Sequence, residues 1–162
     1  MSKAKSGARA VADVTAGVIV ATVEIAAPAE RVFRALASRE IVNWWVRAGV
    51  FNTTDWTGDV RVGGHWRASG VARGEPYVVE GQFLEVEPPR KLVHTWKRRG
   101  APGPATTVTY VLDALDGGGT RITLRHSGFE SDETCKNVGL GWETSFNQLA
   151  ALLKEQHERG KA

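Results

Sequence analysis

Along residues 120–127, "TRITLRHS", apolar and polar positions alternate. Ile122, Leu124 and His126 fall on one side, and Thr123, Arg125 and Ser127 on the other. A two-residue period predicts a β-strand with one buried face. The preceding "ATTVTYVLDA" repeats it, with Val108, Tyr110 and Leu112 inward and Thr107, Thr109 and Asp113 outward. "DGGG" turns the two segments into a hairpin. A second hairpin is predicted over "YVVEGQFLEVEPPRKLVHTWKRR", with Pro88 and Pro89 breaking the ladder between its arms. Leu92, His94 and Trp96 match the inward set of the neighbouring strand. Before the prolines, the same alternation predicts Val78, Glu80, Gln82, Leu84 and Val86 as inward. "DWTGDVRVGGHWRASG" predicts two more strands joined near Gly63 and Gly64. "GVIVATVEIA", 17–26, predicts a β-branched first strand.

Helical spacing occupies what is left. "PAERVFRALAS" starts on Pro28 and carries Glu30 at its positive end, with Val32, Phe33 and Leu36 as an apolar stripe. "REIVNWW", 39–45, predicts a second short helix. "SDETCKNVGLGWETSFNQLAALLKEQHERG" predicts one long helix capped by Ser131 or Asp132, with Val138, Trp142, Leu149, Leu152 and Leu153 on its apolar face. Gly139 and Gly141 weaken it locally and permit close packing or a bend. The order is strand, two short helices, about six strands, then a long helix. Only that helix is large enough to cover the sheet's buried face.

A chain of 162 residues, 42% hydrophobic and 24% charged, fits one domain, here 17–158, behind a tail at 1–16 expected to be poorly ordered. No apolar run is long enough to span a membrane, and no signal-peptide pattern precedes the first strand. The single Cys135 forbids an intramolecular disulfide and fits a reducing cytoplasm, and is expected as a helix-surface or half-buried thiol. Net charge is +3 with dispersed basic residues; the one tight cluster, "KRR" at 97–99, reads as a solvated hairpin end. Nothing resembles a basic nucleic-acid face. The glycines at 63, 64 and 117–119 read as turns, without a phosphate-binding or dinucleotide pattern. No serine lies in a nucleophile-elbow pattern, and Cys135 has no adjacent base.

The inward face is the informative feature, because it is not purely apolar. His94, His126, Tyr110, Glu80 and Gln82 share it with tryptophan, leucine and valine. In a dry core each polar group needs a partner, whereas a ligand cavity relieves that demand. In-register pairing predicts His94 beside Tyr110, Tyr110 beside Leu124 and His126 diagonal to them. His65 falls on the outward register with Arg67, so a three-histidine metal site is not expected. His94 is then either a core histidine bonded to Tyr110 or a backbone carbonyl, or an acid/base lining a pocket.

Several phrases together, "IAAPAERVFRALAS", "VGGHWR", "VEGQFLEVEPPRKLVHTW" and "GLGWETSFNQLAALL", resemble the single-domain proteins related to the C-terminal domain of the activator of heat-shock-protein-90 ATPase. These belong to the START-like (SRPBCC, birch-pollen-allergen-like) superfamily, and the resemblance runs from about residue 18 to 155. It implies an α+β helix-grip fold: a curved antiparallel sheet of about six to seven strands around a long C-terminal helix, with a cavity between. Relatives more often carry an aromatic where this chain has His94, and they share no single catalytic motif.

The first expectation is a cytoplasmic binding protein for a small apolar or aromatic molecule. Trp66, Trp96, Trp142 and Leu84 would supply apolar contact, with Glu80, Gln82, His94, Tyr110 and His126 fixing orientation. The tryptophans, Trp45 included, serve equally as core. The second is an enzyme in the same cavity, of cyclase, hydrolase or proton-transfer type, with His94, Glu80 and Tyr110 as candidate catalytic residues. The third, regulation of a chaperone ATPase, is least expected, since the chain carries no companion N-terminal domain. No cofactor and no metal are expected, and homodimer formation is left open.

Overall fold

Nine strands, all antiparallel, join one sheet in the computed structural model, which describes residues 7–161. Strands β1 (Arg9–Asp13) and β2 (Val18–Ile25) precede helices α1 (Ala29–Leu36) and α2 (Ile41–Trp44). Strands β3 (Val46–Arg47), β4 (Phe51–Gly58), β5 (His65–Ala72), β6 (Glu75–Glu87), β7 (Lys91–Arg98), β8 (Thr106–Ala114) and β9 (Thr120–Ser127) follow, and helix α3 (Asp132–Lys161) closes the chain. The order across the sheet is β1-β2-β9-β8-β7-β6-β5-β4-β3, so only the β2–β9 neighbourhood departs from a meander. The sheet curls into a half-barrel around α3.

The helices sit where their patterns put them. Val32, Phe33, Ala35 and Leu36 bury one face of α1. Helix α3 begins as the cap residues predict, with the Thr134 amide donating to Ser131 Oγ at 3.2 Å. It runs unbroken through Gly139 and Gly141. A Cβ at Gly139 would meet Ala12 and Ile19 at 3.5–3.8 Å, so this face of α3 lies directly on β1 and β2. Phe146, Leu149 and Leu153 carry the buried stripe onward, together with Ile19, Leu124 and Ile122 from the sheet.

Four expectations are corrected. The sheet has nine strands rather than six or seven. One added strand, β1, comes from the stretch expected to be a tail: Arg9 to Asp13 pair in register with Thr22 to Val18. Its "RAVAD" is short and weakly apolar, and it gains strand structure from the edge of β2 and from packing on α3, where the Ala8 amide donates to Asn147 Oδ1 at 2.9 Å. Residues 1–6 of that tail lie outside the described residues. The other addition is the two-residue β3, paired with β4 through Val46↔Asn52 and Arg47↔Phe51.

The third correction concerns facing. Strand β6 buries Val79 and Phe83, while Gln82 and Leu84 are exposed, Leu84 at 44%. A register shift between Phe83 and Glu85 explains this, because it inserts one residue and reverses the parity of everything before it. Val86, beyond the shift, pairs with inward Leu92, so alternation carried backwards from Val86 assigned the wrong face to residues 78–84. The fourth is Cys135, which is buried with its Sγ against the Val18 carbonyl.

Candidate functional site

The three polar residues expected on the inner face of β7, β8 and β9 are all buried there: His94, Tyr110 and His126. The β8–β9 register is the expected one, with Tyr110 opposite Leu124 and His126 diagonal to Tyr110, whereas the β7–β8 register is shifted by two residues from expectation. His94 pairs with Val108, Val108 with His126 and Tyr110 with Leu124, leaving His94 and Tyr110 as diagonal neighbours with ring centroids 5.9 Å apart.

His126 sits in a directional hydrogen-bond chain. The Trp142 indole N–H donates to its Nδ1 at 3.0 Å, so Nδ1 is the bare nitrogen and Nε2 carries the proton. Nε2–H then donates to Thr106 Oγ1 at 2.7 Å, and the Thr106 hydroxyl donates to the Trp96 carbonyl at 3.0 Å. Every donor and acceptor in this chain is used once with the ring neutral. Burial, reinforced by the neighbouring His94, pushes the His126 pKa down to about 3.

His94 is satisfied locally. Its Nδ1 donates to the Thr95 carbonyl at 2.8 Å, which also accepts the Trp66 indole N–H at 3.1 Å. That carbonyl is available because the β6–β7 ladder is altered here: the Gln82 amide donates to Thr95 Oγ1. Trp66, Phe83 and Tyr110 surround the His94 ring at 4.9, 6.0 and 5.9 Å. Burial lowers its pKa to about 4, partly offset by the Thr95 carbonyl. Burial likewise pushes the Tyr110 phenol far above its ordinary value. Beside His94 and Tyr110 lies a void of about 10 Å³, enclosed by Trp44, Trp45, Trp66, Trp142 and their neighbours. That is roughly the room of a single water.

A far larger cavity, about 750 Å³, opens farther along the same trough. Its floor is Trp45, Trp96 and Trp142, with Trp45 6.4 Å from Trp96 and 6.3 Å from Trp142 between ring centroids. Phe51, Tyr77, Val79, Phe129 and Val138 continue the apolar wall. Tyr77 is held by a hydrogen bond between its hydroxyl and Thr53 Oγ1, and burial raises its pKa. The β7–β8 connection, residues 101–104, and the start of α3 complete the rim.

The sequence-predicted residues therefore separate into three groups. Trp96 and Trp142 line the large cavity. Trp66, His94, Tyr110 and His126 belong to the packed layer behind it, and none of them lines it. Glu80, Gln82 and Leu84 lie on the opposite face of the sheet and are withdrawn from the site. Glu80 pairs with Arg99 at 3.1 Å, and Gln82 reaches the Gly63 carbonyl at 3.3 Å. His65 is exposed, as its register predicts. Among the described residues no cluster of three His, Cys, Asp or Glu side chains stands ready for a metal.

Sequence reasoning missed Phe51, Tyr77, Val79 and Phe129. A signal existed for two of them. Tyr77, Val79, Gly81 and Phe83 form a set without charge, facing away from Glu80 and Gln82. The arrangement as a whole, an aromatic trough between curled sheet and C-terminal helix, agrees with the family profile that matches residues 26–154, that of the activator of Hsp90 ATPase homolog 1-like protein. The chain belongs to that family.

Solved relatives agree in fold over most of their length. A protein from Chromobacterium violaceum is 28% identical, with a TM-score of 0.74 over 85% of this chain and 96% of its own. A Silicibacter pomeroyi protein carrying the same family name is 26% identical, with a TM-score of 0.73 over 86% of this chain and 99% of its own. A Mycobacterium smegmatis protein is 25% identical, with a TM-score of 0.73 over 90% and 95%. No curated protein gives a match. No helix among the described residues is long and apolar enough to cross a membrane.

Proposed function

We propose that this family member binds a small, largely apolar or aromatic molecule in the cavity between the sheet and α3. The observation that carries this reading is the cavity itself, about 750 Å³ with Trp45, Trp96, Trp142, Phe51 and Phe129 in its walls. That volume and that lining are those of a site for a small organic molecule. Binding is favoured over acid–base catalysis because His94 and Tyr110 lie outside the cavity lining and Glu80 lies on the outer face.

Titration with 1-aminoanthracene, a neutral aromatic fluorophore, tests the proposal. Saturable fluorescence enhancement at one site is expected for the wild-type protein. Val138→Trp places an indole in the cavity and is expected to abolish it while the circular dichroism spectrum stays unchanged. Absent binding, or equal binding to a folded Val138→Trp variant, overturns the proposal.

A further inference from the structure

The mouth of the cavity differs from its floor. Four cationic residues stand there, Arg47, Arg73, Lys97 and Arg98, against two carboxylates, Glu75 and Glu130. Two of the arginines are aimed by register. Arg47 pairs with Phe51, and Arg98 pairs with buried Val79; Phe51 and Val79 are both cavity-wall residues. Cross-strand partners project to the same side of a sheet, so both guanidinium groups leave the backbone on the concave face. Arg47 is half-buried and Arg98 exposed, so the two charges stand at the solvent edge of an apolar wall. Among the described residues, neither Arg47, Arg73 nor Arg98 has a carboxylate within 4.0 Å, although eight ion pairs form elsewhere on the molecule. Lys97 directs its ammonium onto the Ala101 carbonyl at 2.6 Å, which leaves the arginines as the unspent donors.

We infer that the cavity selects an amphipathic acid: an apolar body lies on the tryptophan floor, and a carboxylate is held at the mouth by Arg47 and Arg98. This rests on the proposed binding role of the cavity and specifies its ligand class. A carboxylate takes two parallel N–H···O bonds from a guanidinium, and the low-dielectric wall beside it strengthens the attraction. Arg73 adds field at the rim without a cross-strand partner on the wall.

A matched pair of probes separates this inference from the reading beneath it: 11-(dansylamino)undecanoic acid and its methyl ester, which share one apolar body. At low salt the wild-type protein is expected to bind the acid about tenfold more tightly than the ester, the scale of one charge-assisted contact. In Arg47→Ala/Arg98→Ala that preference is expected to vanish while ester affinity holds, the ester also reporting that the fold is intact. Raised salt is expected to shrink the preference in the wild type. Equal binding of acid and ester overturns the inference and leaves the cavity reading standing. A preference that survives the double substitution overturns the assignment to these two arginines. If neither probe binds, cavity reading and inference fall together.

Discussion

Trp142 of α3 and His126 of β9 are joined across the helix–sheet interface by an indole N–H donated to Nδ1 at 3.0 Å. This one bond selects the histidine tautomer that lets Nε2–H reach Thr106, and so ties the last helix to two strands. Trp142→Phe leaves a buried nitrogen without its donor and a gap where the indole was. It is expected to cost about 2–4 kcal/mol in urea unfolding. Combined with His126→Phe it should show a coupling energy of about 1 kcal/mol, since each single change already breaks the shared bond. Strict additivity would show that the bond contributes nothing.

Stability is expected to depend on pH in a defined window. Both inner histidines have folded pKa values, about 4 for His94 and about 3 for His126, below the ordinary 6.5. Below pH 6.5 the unfolded chain takes up protons that the folded chain refuses. Stability is therefore complete above that value and falls as pH drops toward 4. Each histidine contributes a slope of up to about 1.4 kcal/mol per pH unit. Urea midpoints at pH 7.0, 6.0 and 5.0 check this before most carboxylates titrate, and a flat profile would refute it.

Replacing His94 by phenylalanine isolates one of the two. The ring stays within a shell of Trp66, Phe83 and Tyr110, and the Thr95 carbonyl keeps the Trp66 donor. Stability at pH 7 is expected to change by less than about 1.5 kcal/mol, as volume-conserving core changes do. The acid-side slope should fall by about half. Affinity for 1-aminoanthracene is expected to stay within about twofold, because an enclosed side chain that does not touch the ligand leaves its binding contacts in place. Lost binding in a folded variant would put His94 in the site.

Two glycines are expected to respond oppositely to alanine. A Cβ at Gly81 would lie 2.0 Å from the Thr95 carbonyl oxygen and 2.6 Å from Trp66 Nε1. Gly81→Ala must push β6 from β7 and break the Trp66–Thr95 bond, at a cost of about 2 kcal/mol or more. A Cβ at Gly141 meets Phe51 at 3.7 Å, an ordinary contact, in the middle of α3. Gly141→Ala should stabilise by up to about 1 kcal/mol through helix propensity. Thermal unfolding of the pair, compared with wild type, decides both.

Periodicity in the sequence determined the two main hairpins, the three helices and the inward facing of Leu92, His94, Trp96, Val108, Tyr110, Leu112, Ile122, Leu124 and His126. Those segments carry their own unbroken alternation, so burial follows from local order. The family was legible too, because its turn and helix phrases are local. Tertiary structure alone decided three things. A single inserted residue near Leu84 turned Glu80, Gln82 and Leu84 outward, and nothing in the alternating run marks where a bulge falls. Strand β1 forms where β2 offers an edge to pair with and α3 a face to pack on. The separation of the inner face into a packed histidine layer and an open tryptophan trough depends on how far the sheet curls around α3. Strand register records which side a residue faces, and it carries no measure of the distance to the element opposite.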